Sequence, residues 1–167
     1  MKTESGKEQT ASAVIRQDDD KPREHCGIFG IYGHPEAARL TYFGLYALQH
    51  RGQESCGIVT GDGQRVSQYR GLGLVPEVFN KDILERLPGH LGIGHVRYST
   101  TGSTNIINAQ PFLVQHGGQS IAIAHNGTLT NARQIRCRLE AEGSIFQSTM
   151  DTEDRSEEHT SELQSQR

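Results

Sequence analysis

An α+β architecture of sheet layers covered by helices is predicted for this 167-residue chain from three observations. Runs of short apolar strands are interleaved with amphipathic helical stretches between residues 26 and 153. Glycine, at 19 residues, punctuates them as turns and leaves backbone able to approach a ligand. The two ends are polar, so the apolar content, 34% overall, is concentrated in the middle.

The elements follow in order. Residues 26–32 form a strand bounded by Gly33. Residues 35–50 form a helix with Pro35 in its first turn. Ala37, Leu40, Gly44, Leu45 and Leu48 share one face of it. Tyr42, Phe43 and Tyr46 widen the apolar surface, so the helix is expected to be covered on most sides, with Gly52 ending it. Residues 56–60 and 65–70 form a hairpin about Gly61-Asp62-Gly63. A second helix is expected over 76–87, from Val78, Phe79, Ile83, Leu84 and Leu87. Strands follow at 91–98, 111–115 and 119–125. Thr130 or Asn131 then caps a helix running to about residue 142.

Residues 1–25, with Asp18-Asp19-Asp20 and little apolar content beyond Val14-Ile15, read as a disordered leader. It has no apolar core of a secretory signal. No apolar run approaches the roughly 20 residues of a spanning helix. The net charge of −3 points to neither a nucleic-acid nor a membrane partner. Three widely spaced cysteines argue against a disulfide framework and for a reducing, cytoplasmic setting. Residues 154–167 hold Leu163 as their only large apolar residue and resemble a translated sequencing-adapter tail, so they are expected to be foreign to the fold.

Cys26 stands where the polar leader meets the first strand. It reads either as a small buried hydrophobe or as a nucleophile. Removing the leader would give Cys26 a free α-amine, which can take a thiol proton near neutral pH. The uncut amide nitrogen cannot, because its lone pair is delocalised. His125-Asn126-Gly127 ends an apolar run. Asn-Gly there reads either as a hairpin turn or as two donors, the Asn126 amide and the Gly127 N–H, for a developing oxyanion. Arg97 enters a hydroxyl-rich loop at Tyr98-Ser99-Thr100-Thr101, as a surface arginine or as a carboxylate clamp. Gln49-His50-Arg51-Gly52-Gln53-Glu54 reads as a solvated helix end, and Asp151-Thr152-Glu153 as a helix start. No Cys-x-x-Cys pair, HExxH spacing, dinucleotide fingerprint or Walker lysine is present.

Together, Cys26-Gly27-Ile28-Phe29-Gly30, Leu48-Gln49-His50-Arg51-Gly52-Gln53-Glu54, Gly94-His95-Val96-Arg97-Tyr98 and His125-Asn126-Gly127 resemble the glutaminase domain of the amidophosphoribosyltransferase family. These are N-terminal-nucleophile amidohydrolases that open de novo purine synthesis. Gly71-Leu72-Gly73-Leu74-Val75 adds to the likeness. The resemblance implies Cys26 as nucleophile after propeptide removal, with its own α-amine as base. It implies Arg51 as an orienting residue and Asn126 and Gly127 as the oxyanion hole. Arg97 would bind the α-carboxylate of glutamine, Asp151 its α-ammonium, and Thr100 would line the pocket. The full reaction it implies makes phosphoribosylamine from glutamine and phosphoribosyl pyrophosphate, in a homo-oligomer. It implies no cofactor in this segment. Magnesium and, in some members, an iron–sulfur cluster belong to the full-length protein, as does phosphoribosyl pyrophosphate binding.

The likeness runs from about Arg23 to Glu153, so the domain is expected to be the first half of an αββα sandwich. Such a half would leave edges and faces uncovered, and the chain alone is expected to fold poorly with little or no synthase activity. Two other readings stand beside it. One is a non-functional truncated fragment or gene-model artefact retaining the motifs. The other is the glutaminase part of another type-2 amidotransferase, since those of glucosamine-6-phosphate synthase and asparagine synthetase share the Cys, the Arg-Gly and the Asn-Gly.

Overall fold

In a computed structural model, the described residues are 26–98, 105–116, 118–127 and 129–142. The leader, Thr100, Asp151 and the 154–167 tail lie outside them.

Four antiparallel strands form the main sheet: β1 (Gly27–Tyr32), β2 (Ser55–Gly61), β3 (Val66–Leu72) and β4 (Leu91–Arg97), in the order β1-β4-β2-β3. β5 (Phe112–His116) and β6 (Gln119–Ile123) form a separate hairpin. The helices are α1 (Ala37–Ala47), α2 (Val75–Val78), α3 (Lys81–Glu85) and α4 (Ala132–Ala141).

Register divides the main sheet into two faces, because directly opposed residues of an antiparallel pair project to the same side. Gly27 pairs with Val96, and Val96 with Cys56. That row, with Phe29, Gly94 and Ile58 two residues on, faces α1. Gly44 of α1 sits directly over the Phe29 ring, where an added Cβ would come within 2.2 Å of it. The core here joins Leu45, Ile58, Val75, Val78, Phe79, Leu87 and Val96. The opposite face carries His95, Gly57 and Arg70. The second layer lies against it. Arg70 Nη1 donates to Ala109 O, Gln68 Nε2 donates to Pro111 O at 2.7 Å, and the Gly57 backbone abuts that of Gln110. Helix, sheet and second sheet therefore stack in that order.

Three expectations need correction. The helix expected over 76–87 is two short helices. Phe79 is extended (φ −110°, ψ 127°), and Asn80 caps the second by accepting from Ile83 N at 2.9 Å. The helix expected over 35–50 ends at Ala47, and a 3-10 turn over Gln49–Arg51 intervenes before Gly52. Nor is α1 covered on most sides: Phe43 and Tyr46 are 55% and 56% exposed, and Tyr42 packs against both rings.

Candidate active site

Cys26 immediately precedes β1, and continuing the β1–β4 register by one residue sets it beside Arg97 and Tyr98. Its thiol is free and half-buried. Tyr98 N–H donates to Cys26 Sγ at 3.4 Å, and the thiol reaches Tyr98 O at 3.7 Å. The Cys26 carbonyl accepts from two side chains far away in sequence. Arg51 Nε donates at 3.3 Å and Asn126 Nδ2 at 2.7 Å. Cys26, Arg51 and Asn126 are thus brought to one point by β1, the 3-10 turn and the end of β6.

Gly52 allows that turn to lie against β4. An added Cβ would stand 2.6 Å from Val96 C and 2.8 Å from Arg97 N. Beyond it, Glu54 N–H donates to Arg97 O at 3.1 Å, and the Glu54 carboxylate takes a hydrogen bond from Arg97 Nη1. This ion pair is desolvated, with the two side chains 11% and 7% exposed. A pair buried to that degree is costly to break from either side. Arg97 is therefore a buried residue with a fixed partner, not a surface arginine.

His125-Asn126-Gly127 is followed by α4 and not by a second strand, so it is no hairpin turn. Gly127 has φ +150°, a conformation that favours glycine. The His125 peptide is held at both ends. Its N–H donates to Gln110 Oε1 at 2.7 Å, and its carbonyl faces His95 Nε2 at 3.2 Å. Both partners are buried, His95 completely. Burial is the main cause that pushes the His95 pKa down to about 4, and the Arg97 charge adds to it. A neutral imidazole facing a carbonyl must carry its proton on Nε2.

Glu54, His95 and Gln110 were given no role from sequence. His95 had a readable signal, since it lies two residues before Arg97 on a strand and so on the same face. Gln110 and the Glu54 pairing had none, being contacts across 15 and 43 residues of chain.

Among the described residues no group of three or more His, Cys, Asp or Glu is placed to hold a metal ion. No helix among them is long and apolar enough to cross a membrane.

Residues 82–154 match the family described as a glutamine amidotransferase domain. The chain carries part of a glutamine amidotransferase domain. Among relatives, the chain is 55% identical over 138 residues to amidophosphoribosyltransferase 1, chloroplastic, of Arabidopsis thaliana, covering 82% of this chain and 24% of that one. It is 54% identical over 131 residues to amidophosphoribosyltransferase of Staphylococcus aureus, covering 78% and 26%. A solved glutamine phosphoribosylpyrophosphate amidotransferase from B. subtilis, complexed with ADP and GMP, superposes with TM-score 0.72 at 47% identity, over 78% of this chain and 28% of that one. The amidotransferase domain seen here thus spans about a quarter of the length of the curated relatives it matches. The likeness bears out the α+β, N-terminal-nucleophile fold expected from the motifs.

Proposed function

We propose that this chain carries the glutamine-hydrolysing site of an amidophosphoribosyltransferase, with Cys26 as nucleophile. The carrying observation is the Asn126 side chain, 100 residues away in sequence, donating to the Cys26 carbonyl at 2.7 Å. With the leader removed, the Cys26 α-amine takes the thiol proton. The thiolate attacks the side-chain amide carbon of glutamine, forming an S–C bond and a tetrahedral oxyanion. Asn126 Nδ2 has a second N–H besides the one used on Cys26 O, and with the Gly127 N–H it supports that oxyanion. The C–N bond breaks, ammonia leaves with the proton held by the amine, and water hydrolyses the thioester to glutamate. Arg51 fixes the Cys26 backbone. Arg97, oriented by Glu54, holds the glutamine α-carboxylate, and Asp151 and Thr100 complete the substrate pocket. In the whole protein the ammonia would displace pyrophosphate from phosphoribosyl pyrophosphate to give phosphoribosylamine.

The test joins intact mass to activity. The full-length protein is expected to lose residues 1–25 and to release ammonia from glutamine, and Cys26→Ala is expected to abolish that release. Turnover with the leader still attached would rule out the amine as base. Undiminished hydrolysis by C26A would rule out the nucleophile.

A further inference from the structure

Asn126 is exposed just beyond β6, and its amide is aimed by its backbone together with the hydrogen bond from Nδ2 to the Cys26 carbonyl. Its own backbone N–H belongs to the peptide plane whose carbonyl is that of His125. One planar unit therefore carries both groups. Fixing the direction of the His125 carbonyl fixes the peptide plane from which the Asn126 side chain projects. Two buried side chains grip the turn. Gln110 Oε1 takes the His125 N–H at 2.7 Å, and His95 Nε2 meets the His125 carbonyl at 3.2 Å. Of these two, it is His95 that contacts the peptide plane that Asn126 shares.

His95 is well placed to do this. It lies on β4, the strand hydrogen-bonded to both β1 and β2, so its Cα is set by ladders on both sides. It projects from the face that meets the second layer, paired across the ladder with Gly57, against which the Gln110 backbone packs. The ring is wholly buried, and its Nδ1 has no hydrogen-bond partner among the described residues. An apolar residue would fill this position without leaving a buried ring nitrogen unpaired, so packing alone does not account for an imidazole here. The bond from Nε2 to the His125 carbonyl does.

We infer that His95 is a positioning residue for the glutaminase reaction: its Nε2–H holds the His125–Asn126 peptide so that the Asn126 amide meets the oxyanion formed at Cys26. This rests on the function proposed above. His95 does not itself touch the reacting atoms.

The experiment uses the full-length, leader-free protein with His95→Gln and His95→Leu. Gln places an amide N–H near the Nε2 position, and Leu fills the space without a donor. Removing an oxyanion donor outright costs about 10²–10³ in kcat, so misaiming one sets a loss of at least about tenfold for H95L. KM for glutamine is expected to stay within about twofold, because the α-carboxylate clamp is untouched. H95Q is expected to recover most of the lost kcat. Equal kcat in H95L and wild type would overturn the inference, as would equal losses in H95Q and H95L, or a loss confined to KM. Should H95L fail to fold, the imidazole nitrogen-15 spectrum of the wild type decides. A neutral His95 protonated on Nε2 supports the inference, and a proton on Nδ1 or a doubly protonated ring overturns it. If wild-type protein hydrolyses no glutamine at all, the glutaminase reading itself fails and this inference falls with it.

Discussion

Gly52→Ala is the substitution whose consequence the structure defines most sharply. Gly52 is extended (φ −154°, ψ 123°), so alanine pays no conformational penalty there. The obstacle is steric. The new Cβ would lie 2.6 Å from Val96 C and 2.8 Å from both Arg97 N and Arg97 C. Each gap is short of ordinary contact by about 0.6–0.8 Å. The atoms in the way are backbone of β4, which is hydrogen-bonded on both sides and cannot rotate aside as a side chain would. Overpacking of this kind costs about 1–3 kcal/mol. At about 4 °C or more per kcal/mol for a domain near 100 residues, Tm should fall by at least about 4 °C. The 3-10 turn must also lift off, taking Arg51 Nε away from the Cys26 carbonyl, now 3.3 Å off. Gly63→Ala is the matched control. Its φ is +90° with nothing within 4 Å, so it strains the hairpin by about 1–2 kcal/mol without touching the site. Thermal melts and the rate of Cys26 carbamidomethylation separate the two. Both variants should melt lower, and only G52A should change the rate at Cys26. A G52A protein with wild-type Tm and wild-type Cys26 labelling would refute the steric reasoning.

Two further outcomes are expected. Burial of His95, with its pKa near 4 against an ordinary 6.5, means the unfolded chain binds the extra proton between those values. Stability should therefore be lost as pH falls from 6.5 to 4, by up to on the order of 3 kcal/mol, and urea titrations across that range should show the loss reduced in H95L. Cys56, pushed up to about 12 by burial and then by Glu77, should stay a thiol and resist native alkylation at pH 8, when Cys26 and the exposed Cys137 react; peptide mapping that finds Cys56 labelled alongside them would contradict its burial.

Much of the fold was legible because its signals are local. The hairpin of β2 and β3 turns where Gly61-Asp62-Gly63 stands, and β1 begins where the leader's polarity ends. The apolar period over 76–87 misled because Asn80 sits inside it. A side chain that caps a helix outweighs periodicity over so short a stretch, and sequence spacing alone does not register it. The exposed Phe43 and Tyr46 show a second limit: period tells which residues share a face, not whether anything lies on that face. At the site, Cys26, Arg97 and Asn126 could be singled out by type and setting. The meeting of Arg51 and Asn126 at the Cys26 carbonyl could not, since it depends on contacts across 25 and 100 residues. The Arg97 carboxylate partner within the protein, Glu54, was likewise present in a quoted motif and invisible as a partner.

β4 explains why core and site cannot be varied separately. Its residues alternate between two tasks. Gly94 and Val96 meet α1, where Gly94 leaves room for Thr41 and Leu45 and Val96 is fully buried. His95 and Arg97 point the other way, to the His125 carbonyl and to Glu54, and the Tyr98 backbone closes on Cys26 Sγ. A one-residue slip in register would exchange the two sets. It would drive the His95 ring and the Arg97 guanidinium under α1, into a space that accommodates only a glycine and a valine. It would also strip Glu54 of its counter-charge, leaving a desolvated carboxylate unpaired, which is among the costliest errors a small core can contain. The polar groups of the site therefore reinforce the register that the apolar face demands. The nucleophile inherits its position from that agreement, because Cys26 is simply the next residue out along the β1 ladder.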